Sequence, residues 1–199
     1  MSRLWILGAP DPEMEAIERL LRECGETVVY AADARGERVT AATAYRSQRP
    51  EVHDGMVDLV YAVECGGDWF GAPNTLAASA TPEDGMLVGC VRIDHHRPGD
   101  PGYGRPPSEF LAASSIGQVI RELARLRRLR FRPLTKVPGA YPGGSFILRD
   151  WEGFGAAWLI SDGAAWRVVP PHLVLTGAAD HCLGAAYRYP RACSSKSRA

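Results

Sequence analysis

Short apolar runs, separated by polar or helix-patterned stretches, organise the first half of the chain. Leu4-Trp5-Ile6-Leu7, closed by Gly8-Ala9-Pro10, predicts a buried strand. Asp11 suits a helix N-cap, with Pro12 at the first helical position. Met14, Ile17, Leu20, Leu21 and Cys24 then recur at helical spacing until Gly25 stops the pattern. Thr27 to Tyr30 predicts a second strand, and strand–helix–strand in this order implies a parallel pair. Residues 32–55 are polar and weakly periodic, a surface excursion. Val57 to Val63 predicts a third strand ending at Glu64-Cys65-Gly66-Gly67, followed by a loop through Trp69 and Phe70. Leu87 to Ile93 predicts a fourth, ending at Asp94-His95-His96. Runs apolar on both faces suit the interior of a parallel α/β sheet.

A Gly/Pro-rich loop from Arg97 to Pro107 precedes a helical stretch. There Ser115 and Gln118 have capping-box spacing, and Ile116, Val119, Ile120, Leu123 and Leu126 form an apolar stripe. Arg121, Arg125, Arg128 and Arg132 fall on another face. Residues 133–144 read as a linker. The period then becomes two, in Phe146/Leu148, Trp158/Ile160 and Trp166/Val168, with Asp162-Gly163 as a tight-hairpin signal. Leu173 to Tyr187 predicts a final helix, and 191–199 a polar, disordered tail. The expected fold is α/β: an open, mainly parallel sheet flanked by helices, with a small antiparallel β-meander inserted. Residues 1–132 and 171–190 would form the α/β domain, and 133–170 the linker and meander.

Composition narrows the class. The 199 residues carry 23 basic and 23 acidic side chains, a balance that excludes an all-over basic protein and a highly charged disordered chain. No stretch of 18 residues lacks a charge, so no membrane span is expected. The N-terminal apolar run is too short for a signal peptide. Five irregularly spaced cysteines do not read as a disulfide framework, so a reducing cytoplasm is expected.

Candidate chemistry gathers where apolar strands end. Asp11 and Glu13 follow the first strand, Glu64 the third, and Asp94, His95 and His96 the fourth. In an open parallel sheet these ends share the edge where ligands bind. Carboxylates and imidazoles crowded into one crevice call for a positive centre, and a divalent metal supplies one. Mixed carboxylate and imidazole ligands suit Mn²⁺, Fe²⁺ or Zn²⁺ better than Ca²⁺. Taken singly, Asp11 reads as a cap, Glu13 as a first-turn carboxylate favoured by the helix dipole, and Glu64 as a solvated loop residue.

Ile93-Asp94-His95-His96 after an apolar strand resembles the signature of the DHH phosphoesterases. That superfamily includes single-strand exonucleases, nano-RNA and cyclic-dinucleotide phosphodiesterases, and manganese inorganic pyrophosphatases. Pro10-Asp11-Pro12-Glu13 is similar to the family's first motif. Val63-Glu64-Cys65-Gly66 stands where the family has a metal-binding aspartate, and Ser114-Ser115-Ile116-Gly117 resembles the helix start after the signature. Leu175-Thr176-Gly177-Ala178-Ala179-Asp180 resembles the fourth motif. The resemblance spans roughly residues 3–130 and 172–188. It implies Asp11, Glu13, Glu64, His95 and Asp180 as metal ligands, His96 facing the phosphate, and Asp94 orienting the site. It further implies one or two Mn²⁺ ions, with Mg²⁺ as an alternative. The departures are specific: Leu7 replaces the first motif's histidine, and glutamates stand at 13 and 64 where aspartates are expected. No stretch of these 199 residues is expected to match the family's separate C-terminal substrate domain.

These readings imply a metal-dependent phosphoesterase acting on a nucleotide or short oligonucleotide. Arg92, Arg97 and Arg105 are candidates for phosphate contact, and His96 and Asp94 are the catalytic candidates. The expected partner is a phosphate-containing small molecule or short single-stranded nucleic acid, with homodimer formation left open. The competing reading is a lapsed module that binds a nucleotide or a protein partner without turnover. A third is a structural protein with a chance Asp-His-His, whose named side chains would scatter. The basic run Arg121 to Lys136 reads equally as a phosphate-attracting surface or a solvated helix face. Trp151, Phe154, Trp158 and Trp166 read as meander core more readily than as base-stacking platforms. Cys90, Cys182 and His181 lack zinc-site spacing.

Overall fold

A computed structural model describes residues 2–48, 57–69, 89–134, 146–151 and 155–188. The Leu87-Val88 start of the expected fourth strand, Lys136, Phe154 and the tail 191–199 lie outside the described residues. So does most of the expected linker. The chain divides into two compact units, Met1–Tyr103 and Gly104–Ala199. No helix among the described residues is long and apolar enough to cross a membrane.

The first unit is built on a parallel four-stranded sheet. Its strands are β1 (Arg3–Leu7), β2 (Thr27–Tyr30), β3 (Leu59–Val63) and β4 (Cys90–Ile93), in the order β2-β1-β3-β4. Helix α1 (Pro12–Glu23) joins β1 to β2 and begins as its sequence predicts. Asp11 caps it by accepting the Met14 N–H at 2.7 Å, and Gly25 turns the chain out at φ 74°. Met14, Ile17, Leu20 and Leu21 bury its apolar stripe. Trp5 of β1 and Tyr61 of β3 are register partners and stack at 4.0 Å.

The polar stretch after β2 departs from the expected surface excursion. Ala31, Val39 and Ala44 are buried with Leu4, Ile6, Val60, Ala62 and Cys65. The apolar residues of 32–55 are too sparse to make a period, yet Val39 and Ala44 reach the core. An Ala32–Arg38 bridge and a 3₁₀ turn at Ala44–Arg46 hold the segment.

The second unit contains α2 (Phe110–Ala113), α3 (Ser115–Arg125), the antiparallel strands β5 (Ile147–Trp151), β6 (Gly155–Ser161) and β7 (Trp166–Val168), and α4 (Pro171–Arg188). The meander order is β5-β6-β7. The cap of α3 is Ser114, not Ser115: Ser114 is extended and its hydroxyl accepts the Gly117 N–H. Gln118 donates to the Ala113 carbonyl at 2.7 Å instead of closing a capping box. The break between α2 and α3 forces this shift, because only the extended Ser114 can aim its oxygen at the new first turn. Ile116, Val119, Ile120 and Leu123 are buried as the stripe requires. At the β6–β7 turn, the Asp162 carboxylate accepts the Ala164 and Ala165 N–H groups, and Gly163 takes φ 81°. Arg125, Arg127, Arg128, Arg130 and Arg132 are exposed. Trp166 is buried, and the half-buried Trp158 meets Phe110 edge to face.

Candidate metal centre

Strand order places the site. From β1 the chain runs through α1 to β2 on one side, whereas β3 pairs with the other side of β1. The C-terminal edge at β1 and β3 is therefore the switch point of the sheet, the crevice where such sheets bind ligands. Glu13 enters it from the first turn of α1, Glu64 from the residue after β3, and His95 from the loop after β4.

The two loops approach closely. The Gly8 N–H donates to the Val63 carbonyl at 3.0 Å, and a Cβ on Gly8 would stand 2.4 Å from the Glu64 carbonyl oxygen. Only glycine permits that approach. Glu64 itself has φ 51°, the left-handed region that a glutamate adopts at a cost of about 1–2 kcal/mol. Its N–H donates to the Ile93 carbonyl at 2.9 Å, which continues the β3–β4 ladder through the strained residue. The backbone is thus held in an unfavourable conformation that delivers a carboxylate into the crevice.

His95 Nε2 lies 3.5 Å from Glu13 Oε2 and 3.5 Å from Glu64 Oε1, and all three side chains are at least nine-tenths buried. Glu13, Glu64 and His95 each offer one donor atom within 4.8 Å of the others, and so do Glu64, His95 and His96. Such separations are those of ligands around one ion with metal–donor distances of about 2.0–2.6 Å. Two buried carboxylates this close repel each other, and a cation among them removes the conflict. The donor set therefore fits a divalent metal.

His96 Nε2 lies 3.3 Å from Glu64 Oε2, with 43% of its side chain exposed. The hydrogen bond to Glu64 raises the His96 imidazole above its ordinary range, against the opposing effect of burial. Asp94 is fully buried; its Oδ1 accepts the backbone N–H groups of His95 at 2.7 Å and His96 at 3.1 Å. Burial, with Asp100 nearby, pushes the Asp94 carboxyl up. An N–H pair on one carboxylate oxygen fixes the turn that presents both imidazoles.

The other expected residues of the first unit are placed differently. Asp11 serves as the α1 cap and is not among the donors that converge within 4.8 Å among the described residues. Leu7 is wholly buried. Arg92 is spent on an ion pair with the buried Asp100 at 3.2 Å. Arg97 is exposed and stacks on Tyr45, its guanidinium carbon 3.1 Å from the ring centroid. In the second unit, Arg105 pairs with Glu109 at 3.1 Å, and Asp180 is half-buried on α4. Sequence reading missed Tyr45, whose hydroxyl donates to Asp94 Oδ2 at 2.8 Å. It is one aromatic residue in an aperiodic polar stretch, and nothing local marks it. No family model, curated protein or solved structure matches this chain, so its own geometry is the basis for reading the site.

Proposed function

We propose that this chain is a divalent-metal-dependent phosphoesterase acting on a nucleotide or short oligonucleotide. The observation that carries the reading is the convergence of Glu13, Glu64 and His95 at the edge where a parallel sheet binds ligands. The Asp-His-His signature supplies the reaction class by resemblance. Mn²⁺ matches a donor set that mixes carboxylate with imidazole. When bound, such an ion polarises a phosphoryl oxygen.

The chain's own residues do the rest. Glu13, Glu64 and His95 would hold the ion. His96, biased toward its protonated form by Glu64 and open to solvent, would donate a proton to the leaving oxygen as the P–O bond breaks. The incoming water supplies the proton that restores it. Asp94 keeps both imidazoles in place through the two N–H groups it accepts. Arg97 stands beside this loop with donors for a phosphate oxygen. Buried Leu7, in the position where the resemblance expects a histidine, favours one ion per chain.

The test is direct. Purified protein with Mn²⁺ is expected to cleave bis-p-nitrophenyl phosphate or a short oligonucleotide. His95→Ala should abolish this activity and weaken Mn²⁺ binding by at least about 100-fold, since removing even an outer partner of a ligand costs 10–100-fold. Full activity in His95→Ala would refute the assignment. The buried Leu7 also favours a second reading, a module that binds without turnover. Tight Mn²⁺ binding with no hydrolysis across a broad phosphoester panel would select it.

A further inference from the structure

We infer that Tyr45 is the positioning residue of this site, joining the carboxylate that shapes the His95–His96 turn to the arginine beside it. The inference deepens the phosphoester reading, and its test separates the two. Three observations support it. First, Asp94 divides its oxygens: Oδ1 holds the His95 and His96 amides, and Oδ2 accepts the Tyr45 hydroxyl at 2.8 Å. The Oδ2 donor is thus a side chain 49 positions away in sequence. Second, the face of the same ring carries the Arg97 guanidinium, and the Arg97 backbone N–H donates to Asp100 Oδ2 at 2.7 Å. Stacking uses the face of a guanidinium and leaves its in-plane N–H donors for a phosphate. Third, Tyr45 stands on a fixed support. The Ala44 carbonyl accepts the Gly66 N–H, the Ser47 N–H donates to the Gly66 carbonyl, and the Trp69 indole donates to the Ser47 carbonyl. Those partners belong to the loop that continues from Glu64. The 44–47 turn is therefore tied to the loop after β3, and its Tyr45 side chain to the loop after β4.

The two ends of Tyr45 can be removed separately. Tyr45→Phe keeps the ring and the Arg97 stack but loses the Asp94 bond. Tyr45→Leu loses both. Hydrogen exchange of the full chain without metal reads the first end. Tyr45→Phe is expected to speed exchange of the His95 and His96 amides by about tenfold, with global melting little changed. Mn²⁺ titration should show about tenfold weaker binding in both variants, as for other residues that orient a ligand. Steady-state kinetics with bis-p-nitrophenyl phosphate read the second end. Tyr45→Leu and Arg97→Gln should each raise KM severalfold, with no further rise in the double variant, while Tyr45→Phe is expected to keep the parent KM. A merely structural tyrosine would not split Mn²⁺ affinity from KM in this way. Unchanged exchange at His95 and His96 in Tyr45→Phe would overturn the inference whatever the activity. Faster exchange in a protein that binds no Mn²⁺ would keep the inference and sink the phosphoesterase reading.

Discussion

Glu64→Gly separates the cost of building the crevice from what it binds. Glu64 holds φ 51°, and relief of that conformation is worth about 1–2 kcal/mol. The extra backbone freedom of glycine in the unfolded chain opposes it by about 0.5–1 kcal/mol. The change also removes one of two buried carboxylates that crowd within 4.8 Å. Without metal, the variant is therefore expected to be at least as stable as the parent, and up to about 1.5 kcal/mol more so. With metal the order reverses. Mn²⁺ at 100 times Kd stabilises the parent by about 2.7 kcal/mol, which for a chain of this size raises Tm by about 5–10 °C. A variant whose Kd is 100-fold weaker gains only about 0.4 kcal/mol at the same concentration, or about 1–2 °C. Calorimetry with and without Mn²⁺ gives all four values, and Glu64→Gln, which keeps the strained backbone, isolates the contribution of the charge. An equal Mn²⁺ shift in parent and Glu64→Gly would refute the ligand role. An apo variant more than 1 kcal/mol less stable would refute the strain argument.

Other substitutions test the frame. Gly8→Ala places a Cβ against the Glu64 carbonyl, so the loops must separate; a loss of about 1–3 kcal/mol in urea unfolding is expected, together with weaker Mn²⁺ binding. Gly117→Ala meets the Leu111 carbonyl at 1.4 Å, an overlap no rotamer relieves, and should cost about 3 kcal/mol or more in the same urea unfolding. At Asp162, burial pushes the carboxyl up but is outweighed by the Ala165 and Ala164 N–H groups and by Arg167, so it titrates below its ordinary value. A depressed carboxylate contributes stability above its unfolded pKa and loses it as pH falls through the folded value. Asp162→Ala should therefore cost about 1–3 kcal/mol at pH 7 and progressively less below about pH 4 in paired urea melts; a constant difference across pH would contradict the linkage.

The sequence by itself determined the elements and the type of chemistry. Leu4 to Leu7, the α1 stripe with its Asp11 cap and the two-residue period after Phe146 are all local. Side-chain direction repeats at 3.6 or 2 residues whatever the rest of the chain does. Asp94-His95-His96 is contiguous and equally readable. Tertiary structure alone decided which loops meet. The order β2-β1-β3-β4 sets the Glu13 turn against Glu64 and His95, and strand order follows from long-range packing that no local period encodes. It also gave Arg92 to Asp100 and the α3 cap to Ser114. Tyr45 is the sharpest case, since its partner Asp94 is named by the signature while Tyr45 itself is fixed only by the folded loops around Gly66. Hydrogen bonds and close contacts between distant residues exist only once the chain has paid its ordering entropy, so the identities of those partners belong to the fold rather than to any segment of it.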